Sequence, residues 1–228
     1  MVGAEMFQRT ELLLGRQAMQ ALSETRVLLV GVGGVGGWCA EALVRTGVGR
    51  LAIVDADVVC ASNANRQLMA TSKTLGEAKV DALAARLREI NPEADILSMN
   101  SRYSAETAAD FGLDGYDYVI DAIDSVTDKA HLIRHALSVP SVTLFSSMGA
   151  ARKLDPLRVR VSEFWKVQGD GLARALRNRF RKTGEFPCRK FTCVWSDEPP
   201  RAEGGTVMHV TAAFGLALAS LVVRSVCA

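Results

Sequence analysis

The stretch VLLVGVGGVGGWCAEALVRTGVGRLAIVDAD, residues 27–57, carries the pattern from which the architecture follows. Val27, Leu28, Leu29 and Val30 form the short apolar run of a parallel strand covered on both faces. Gly31, Gly33 and Gly36 follow at G-x-G-x-x-G spacing. There the first glycine permits a tight turn, the second lets a phosphate approach the backbone, and the third lets a helix pack closely. The helix that follows points its free N–H groups at an anion. Arg50 to Asp55 reads as the next strand, and Asp55 stands 19 residues after Gly36, close to the spacing at which a carboxylate reaches ribose hydroxyls. Strand, glycine turn, helix, strand and acid together describe a nucleotide-binding βαβ unit.

The alternation continues outward. Met6 to Leu22 reads as a helix ahead of the first strand. Leu75 to Ile90 is amphipathic, with Val80, Leu83, Leu87 and Ile90 on one face and Asn91-Pro92 as a stop. Ile96 to Asn100, Tyr116 to Asp121 and Ser141 to Ser146 read as strands, and Thr127 to Leu137 as the helix between the last two. This order predicts an α/β, Rossmann-like, doubly wound and mostly parallel sheet. After Gly149 the pattern changes to a strand at Leu157 to Val161, a basic helix at Gly171 to Lys182 and a strand at Phe191 to Trp195, expected as a mixed or antiparallel C-terminal extension. Residues 1–150 are expected to form the nucleotide-binding domain with its N-terminal helix. Residues 151–228 are expected to add a basic extension and an apolar terminal helix to the same globule.

A length of 228 residues at 49% hydrophobic composition suits one substantial core. The net charge of +2 hides an uneven division: residues 152–190 hold 12 Lys or Arg against 4 Asp or Glu. Five cysteines, an odd number with no C-x-x-C pair, favour a reducing, cytoplasmic location and give no case for structural zinc. Glu5, Arg9 and Glu11 interrupt the N-terminal segment, so no secretory signal is expected. Thr206 to Val223 carries no formal charge and has the length of a membrane span. His209, Thr211, Gly215, Ser220 and many alanines within it favour a helix buried in the core or at a subunit interface, and no membrane association is expected.

Dinucleotide oxidoreductases and ATP-using enzymes can share the opening motif, so the residues beyond the second strand decide between them. Asp57 doubles the carboxylate of Asp55, and Ser62-Asn63-Ala64-Asn65-Arg66-Gln67 supplies amides and a guanidinium. Lys79 opens the next helix, and Asp121 and Asp124 fall at the carboxyl end of the fourth strand, where open parallel sheets bind ligands. A triphosphate needs cations for its oxygens and a carboxylate for Mg2+, and this set provides both. Nicotinamide chemistry requires neither Arg66 nor Lys79.

Through GVGGVGG, VDAD, SNANRQ, GEAKVD, INP and VIDAIDS, over roughly residues 7–150, the chain resembles the ubiquitin-activating-enzyme-like adenylating superfamily. Within it, the chain looks most like the tRNA threonylcarbamoyladenosine dehydratase branch. Three traits carry that likeness: DAIDSVTDK after the fourth strand, no zinc-binding cysteine pairs, and a basic segment running into a GGTVMHVTAAFG terminal helix. The resemblance implies a phosphate turn at Gly31, Gly33 and Gly36, and ribose binding at Asp55 with Asp57 beside it. It places Asn63, Arg66 and Lys79 toward the phosphates and assigns Mg2+ or the alignment of reacting groups to Asp124. Arg9 matches an arginine that reaches a neighbouring subunit's site, which implies a homodimer in which Arg9, Arg66, Lys79 and Asp124 serve catalysis. The implied chemistry is ATP-dependent: a carboxylate of the tRNA-borne substrate attacks the α-phosphorus, and an internal nitrogen closes a ring on the acyl adenylate with net loss of water. The resemblance also admits a monovalent cation near the terminal helix and a sulfur-transfer protein as partner. Two features depart from the family pattern: Ser146-Ser147-Met148-Gly149-Ala150-Ala151 stands where relatives have a glycine-rich stretch, and the basic segment is short.

Rival readings share the nucleotide residues. One is an adenylyltransferase that activates the C-terminus of a ubiquitin-like sulfur carrier; another is a nucleotide-binding module without turnover. Arg174, Arg177, Arg179, Arg181 and Lys182 suit either an RNA backbone or a solvated helix face. Cys193, near Arg189 and Lys190, is either a reactive thiol or a buried strand cysteine, and His131 and His135 have no companions for a metal site.

Overall fold

The computed structural model describes residues 5–228. Side chains alternate across a strand, and β1 (Arg26–Val30) feeds two cores in this way. Val27 and Leu29 enter one, Leu28 and Val30 the other. The further strands are β2 (Arg50–Val54), β3 (Asp95–Met99), β4 (Tyr118–Asp121), β5 (Thr143–Ser147), β6 (Val159–Glu163) and β7 (Thr192–Ser196). They form one sheet in the order β3-β2-β1-β4-β5-β7-β6. Every neighbouring pair is parallel except β6 with β7. The expected doubly wound sheet with an antiparallel extension is therefore present, and β7 joins it parallel to β5.

The helices are α1 (Gln8–Leu14), α2 (Arg16–Glu24), α3 (Gly36–Thr46), α4 (Lys79–Ile90), α5 (Val126–Ser138), α6 (Gly171–Thr183) and α7 (Met208–Val226). Residues of α3, α4 and α7 fill the core on one face of the sheet; those of α5 and α6 fill the core on the other. Along α7 the buried residues Val210, Phe214, Leu218 and Val222 recur every fourth position and build the stripe that packs against the sheet and α3. Gly215 lets α7 close on α3, because a Cβ there would strike the Val35 carbonyl oxygen. Although α7 is long and apolar enough to cross a membrane, that stripe lies in the protein core.

Of the boundaries that differ from the sequence reading, three have a visible cause. The expected N-terminal helix is two helices broken at Gly15, where φ is +86°. The helix expected from Leu75 starts at Lys79. Gly76 turns the chain at φ +85°, and the segment before the helix pairs with residues 57–59 through Gly76 N–H to Val59 O at 2.9 Å and Lys79 N–H to Asp57 O at 3.0 Å. The strand expected from Leu157 starts at Val159, since Pro156–Arg158 form a single 3-10 turn under the side chain of Asp155.

Candidate active site

The winding of the sheet reverses between β1 and β4, and ligands of such sheets bind beyond the carboxyl ends of the strands at that switch. A cavity of about 800 Å3 opens there. Its floor is the glycine turn after β1 and the Ala122–Asp124 segment after β4. The two are in close contact: Gly31 has φ +90°, and a Cβ on it would stand 2.8 Å from the Ala122 carbonyl oxygen. Gly36 lies beneath the turn and lines no part of the cavity; a side chain there would collide with the Gly31 carbonyl oxygen. Gly33 and Gly34 supply the open backbone of the wall.

Asp55 reaches across from β2. Its Oδ2 accepts the Val32 N–H at 2.9 Å and its Oδ1 the Asp57 N–H at 3.0 Å, so this carboxylate also braces the turn. Lys79, with its side chain 7% exposed, places Nζ 2.6 Å from Asp57 Oδ2 and 4.0 Å from Asp55 Oδ1. All three residues line the cavity, with the lysine tethered to the acids. The stem of Arg66 lies over Gly34, its Nη1 donates to the Ser62 carbonyl at 3.1 Å and to Asn65 Oδ1 at 2.9 Å, and Trp38 Nε1 holds its carbonyl at 3.1 Å. Asn63 does not reach the cavity wall. Its Oδ1 accepts the Cys60 N–H at 3.0 Å, which closes its own turn. Four residues on, Gln67 is in the wall, and its buried Oε1 has no hydrogen-bond partner among the described residues. An acceptor desolvated without a partner is costly, and a donor on a bound ligand would satisfy it.

The wall opposite holds Arg102, Asp128 and Tyr103, to which the sequence assigns no role, and behind it stands Asp121 at the end of β4. Asp121 is fully buried, with its Oδ2 2.8 Å from Lys129 Nζ and 2.6 Å from Ser146 Oγ, and its Oδ1 accepting the Ile123 N–H at 3.1 Å. Lys129 also donates to the Ile123 carbonyl at 2.9 Å. This buried ion pair holds the segment that presents Asp124, whose exposed carboxylate forms no ion pair among the described residues. Arg102 donates to Asp128 Oδ2 at 2.6 Å, and both line the cavity next to Tyr103. The Tyr103 hydroxyl lies 3.1 Å from His131 Nδ1 and 2.9 Å from His135 Nδ1, so the histidine pair supports the wall. Burial, aided by His131, holds the His135 pKa below its ordinary value.

Other candidates lie elsewhere. Arg9 is exposed on α1; its helix follows Phe7, which packs toward Gly47 at the amino edge of the sheet, away from this chain's cavity. Cys193 is buried in β7, and burial pushes its thiol up to about 12, so it is no reactive nucleophile. The basic helix α6 does meet the site. Its cap, Asp170, accepts the Ala173 N–H at 2.8 Å and the Gly149 N–H at 3.1 Å, and Leu172 lines the cavity.

The model of the ThiF family matches residues 7–227. The tRNA threonylcarbamoyladenosine dehydratase of Bacillus subtilis is 42% identical over 85% of this chain and 75% of its own length. That of Escherichia coli is 39% identical over 77% of this chain and 65% of its own. Crystal structures of the E. coli tRNA N6-threonylcarbamoyladenosine dehydratase in complex with AMP and with ATP align at 36% and 35% identity. Each has a TM-score of 0.92 and covers 98% of this chain and 94% of the solved one.

Proposed function

The chain belongs to the ThiF family, and from that we propose that it is an ATP-dependent dehydratase that cyclises threonylcarbamoyladenosine in tRNA through a carboxyl adenylate. The observation that carries the reading is the cavity at the β1–β4 switch, where a glycine turn, Arg66, Lys79 and an ion-pair-free Asp124 converge. The glycine turn offers backbone N–H groups to phosphate oxygens, and Asp55 offers acceptors to a ribose. Arg66 and Lys79 offset the charge that grows on the phosphates as the substrate carboxylate attacks the α-phosphorus and pyrophosphate departs. Ring closure then follows within the substrate: its nitrogen attacks the acyl carbon, AMP leaves, and the nitrogen loses its proton.

Among the described residues no three His, Cys, Asp or Glu side chains are grouped to cage a metal. Mg2+ is commonly held by one or two carboxylates together with substrate phosphates, and Asp124 fits that role. When bound, Mg2+ would neutralise phosphate charge. Arg9 on exposed α1 suits a homodimer in which it enters the partner's cavity. Residues 1–150 would activate the substrate, and residues 151–228 would hold the RNA through the exposed cations of α6.

The test is incubation with ATP, Mg2+ and threonylcarbamoyl-modified tRNA followed by mass analysis of the nucleoside. Loss of one water is the expected result. Unchanged tRNA, with adenylation of the C-terminus of a ubiquitin-like carrier protein in a parallel incubation, would favour the sulfur-carrier reading. Asp124→Ala should fold normally and lose product formation by about 10²-fold or more.

A further inference from the structure

Two aromatic side chains, Trp165 and Phe186, are exposed to solvent, at 39% and 51%. They are neighbours, with ring centroids 6.3 Å apart, although 21 positions separate them in sequence. Both sit beside α6: Trp165 lies 6.5 Å from the Phe180 ring, and Phe180 is buried under that helix. At 100° per residue, Arg174, Arg177 and Arg181 fall within one narrow flank of α6, next to the Phe180 position. Arg177 fixes this flank to the aromatic turn, with its guanidinium 5.5 Å from the Phe164 ring and Nη1 2.9 Å from the Val167 carbonyl. Lys166 is exposed next to Trp165.

Solvent-exposed rings carry a hydration cost that a purely solvated cationic helix would not need. Rings set among cations suit a chain that alternates phosphates with flat bases. Duplex RNA presents phosphates but keeps its bases stacked away, so the rings would have no partner in it.

The geometry points to Trp165 and Phe186 as a stacking platform for unpaired bases of the substrate RNA, flanked by Arg174, Arg177 and Arg181 as phosphate contacts. This inference rests on the tRNA reading above and adds the side chains that hold its unpaired bases. Distance supports it. Leu172 lines the cavity and Phe180 lies eight residues along α6, about 12 Å at the usual helical rise, a separation that a few nucleotides of extended strand cover.

The test uses the full chain with two RNAs of equal charge, a hairpin with an unpaired loop and a blunt duplex, read by tryptophan fluorescence and by titration at two salt concentrations. Trp165→Phe identifies which part of the signal belongs to Trp165. The hairpin should quench Trp165 and bind more tightly than the duplex. Trp165→Leu and Phe186→Leu should each weaken hairpin binding by about 5- to 100-fold, leave duplex binding unchanged and leave the salt slope intact. Arg181→Gln should instead weaken both RNAs and lower the salt slope. Hairpin affinity unchanged in both leucine variants, with melting temperatures like the parent, would overturn the platform. A change in oligomeric state in those variants without loss of RNA affinity would assign the rings to self-association and also overturn it. In either case, continued dehydration of modified tRNA by the parent chain would leave the proposed activity standing.

Discussion

Replacing Lys129 by methionine tests the support beneath the site. Both partners of the Lys129–Asp121 pair are 0% exposed, and Nζ bridges the Asp121 carboxylate and the Ile123 carbonyl at 2.8 and 2.9 Å. Methionine matches the stem but not the charge, so Asp121 keeps its bonds to Ser146 and Ile123 and loses its counter-ion. Removing one partner of a buried pair typically costs about 3–5 kcal/mol, because the remaining charge stays desolvated. Native domains hold about 5–15 kcal/mol in total, so the variant should fold with a narrow margin. For a chain of this size each kcal/mol moves the melting temperature by about 2–4 °C, which gives a fall of roughly 6–20 °C. The double variant Asp121→Asn with Lys129→Met removes both charges and should recover part of that loss. Thermal unfolding followed by circular dichroism, with urea titration for the free energy, measures both. A Lys129→Met loss below about 1 kcal/mol, or a double variant less stable than the single one, would show that an unpaired, desolvated Asp121 is not what the substitution leaves behind. The Ile123–Asp124 segment hangs on this pair, so ATP affinity of Lys129→Met should fall even well below its melting temperature.

Gly36→Ala should destabilise the turn and abolish nucleotide binding, because its Cβ would meet the Gly31 carbonyl oxygen; calorimetric ATP affinity like the parent's would contradict the packing. Alkylation of the native chain should mark Cys60, Cys188 and Cys227, which are exposed, and spare Cys39 and Cys193, whose buried thiols have raised pKa values; peptide mass mapping reads the pattern. The His135 pKa is lowered from its ordinary 6.5 by burial and then by His131, so the unfolded chain takes up the proton first as pH falls. The stability that neutral His135 contributes is therefore complete above about pH 6.5 and declines below it, and His135→Gln should flatten the melting temperature against pH between about 7.5 and 5.5. An unchanged slope would rule out that linkage.

The parts of the fold legible in the sequence were those with short-range causes. The apolar run of β1, the glycine spacing and the acid after β2 each leave a local pattern, and so do the alternating helices. Boundaries were less legible where a distant segment intervened: α4 starts late because residues 76–79 pair with residues 57–59 across an intervening loop. The same limit applied to the site. Arg66, Lys79 and Asp124 stand out as polar groups after strands, but nothing local announces that Lys79 is tethered to Asp57, or that Asn63 is used up in closing its own turn. Lys129 reads as one more helix cation until the fold buries it against Asp121. Arg102 and Tyr103 follow β3 in an irregular segment, and only the pairing of β3 with β2 brings that segment to the cavity.

Carboxyl adenylation requires that a substrate carboxylate attack the α-phosphorus of ATP. Threonylcarbamoyladenosine labelled with 18O in its carboxylate, incubated in tRNA with the chain, ATP and Mg2+, tests this in one turnover. AMP should then carry one 18O atom and pyrophosphate none. Label in inorganic phosphate with ADP as the other product would place the attack on the γ-phosphorus instead.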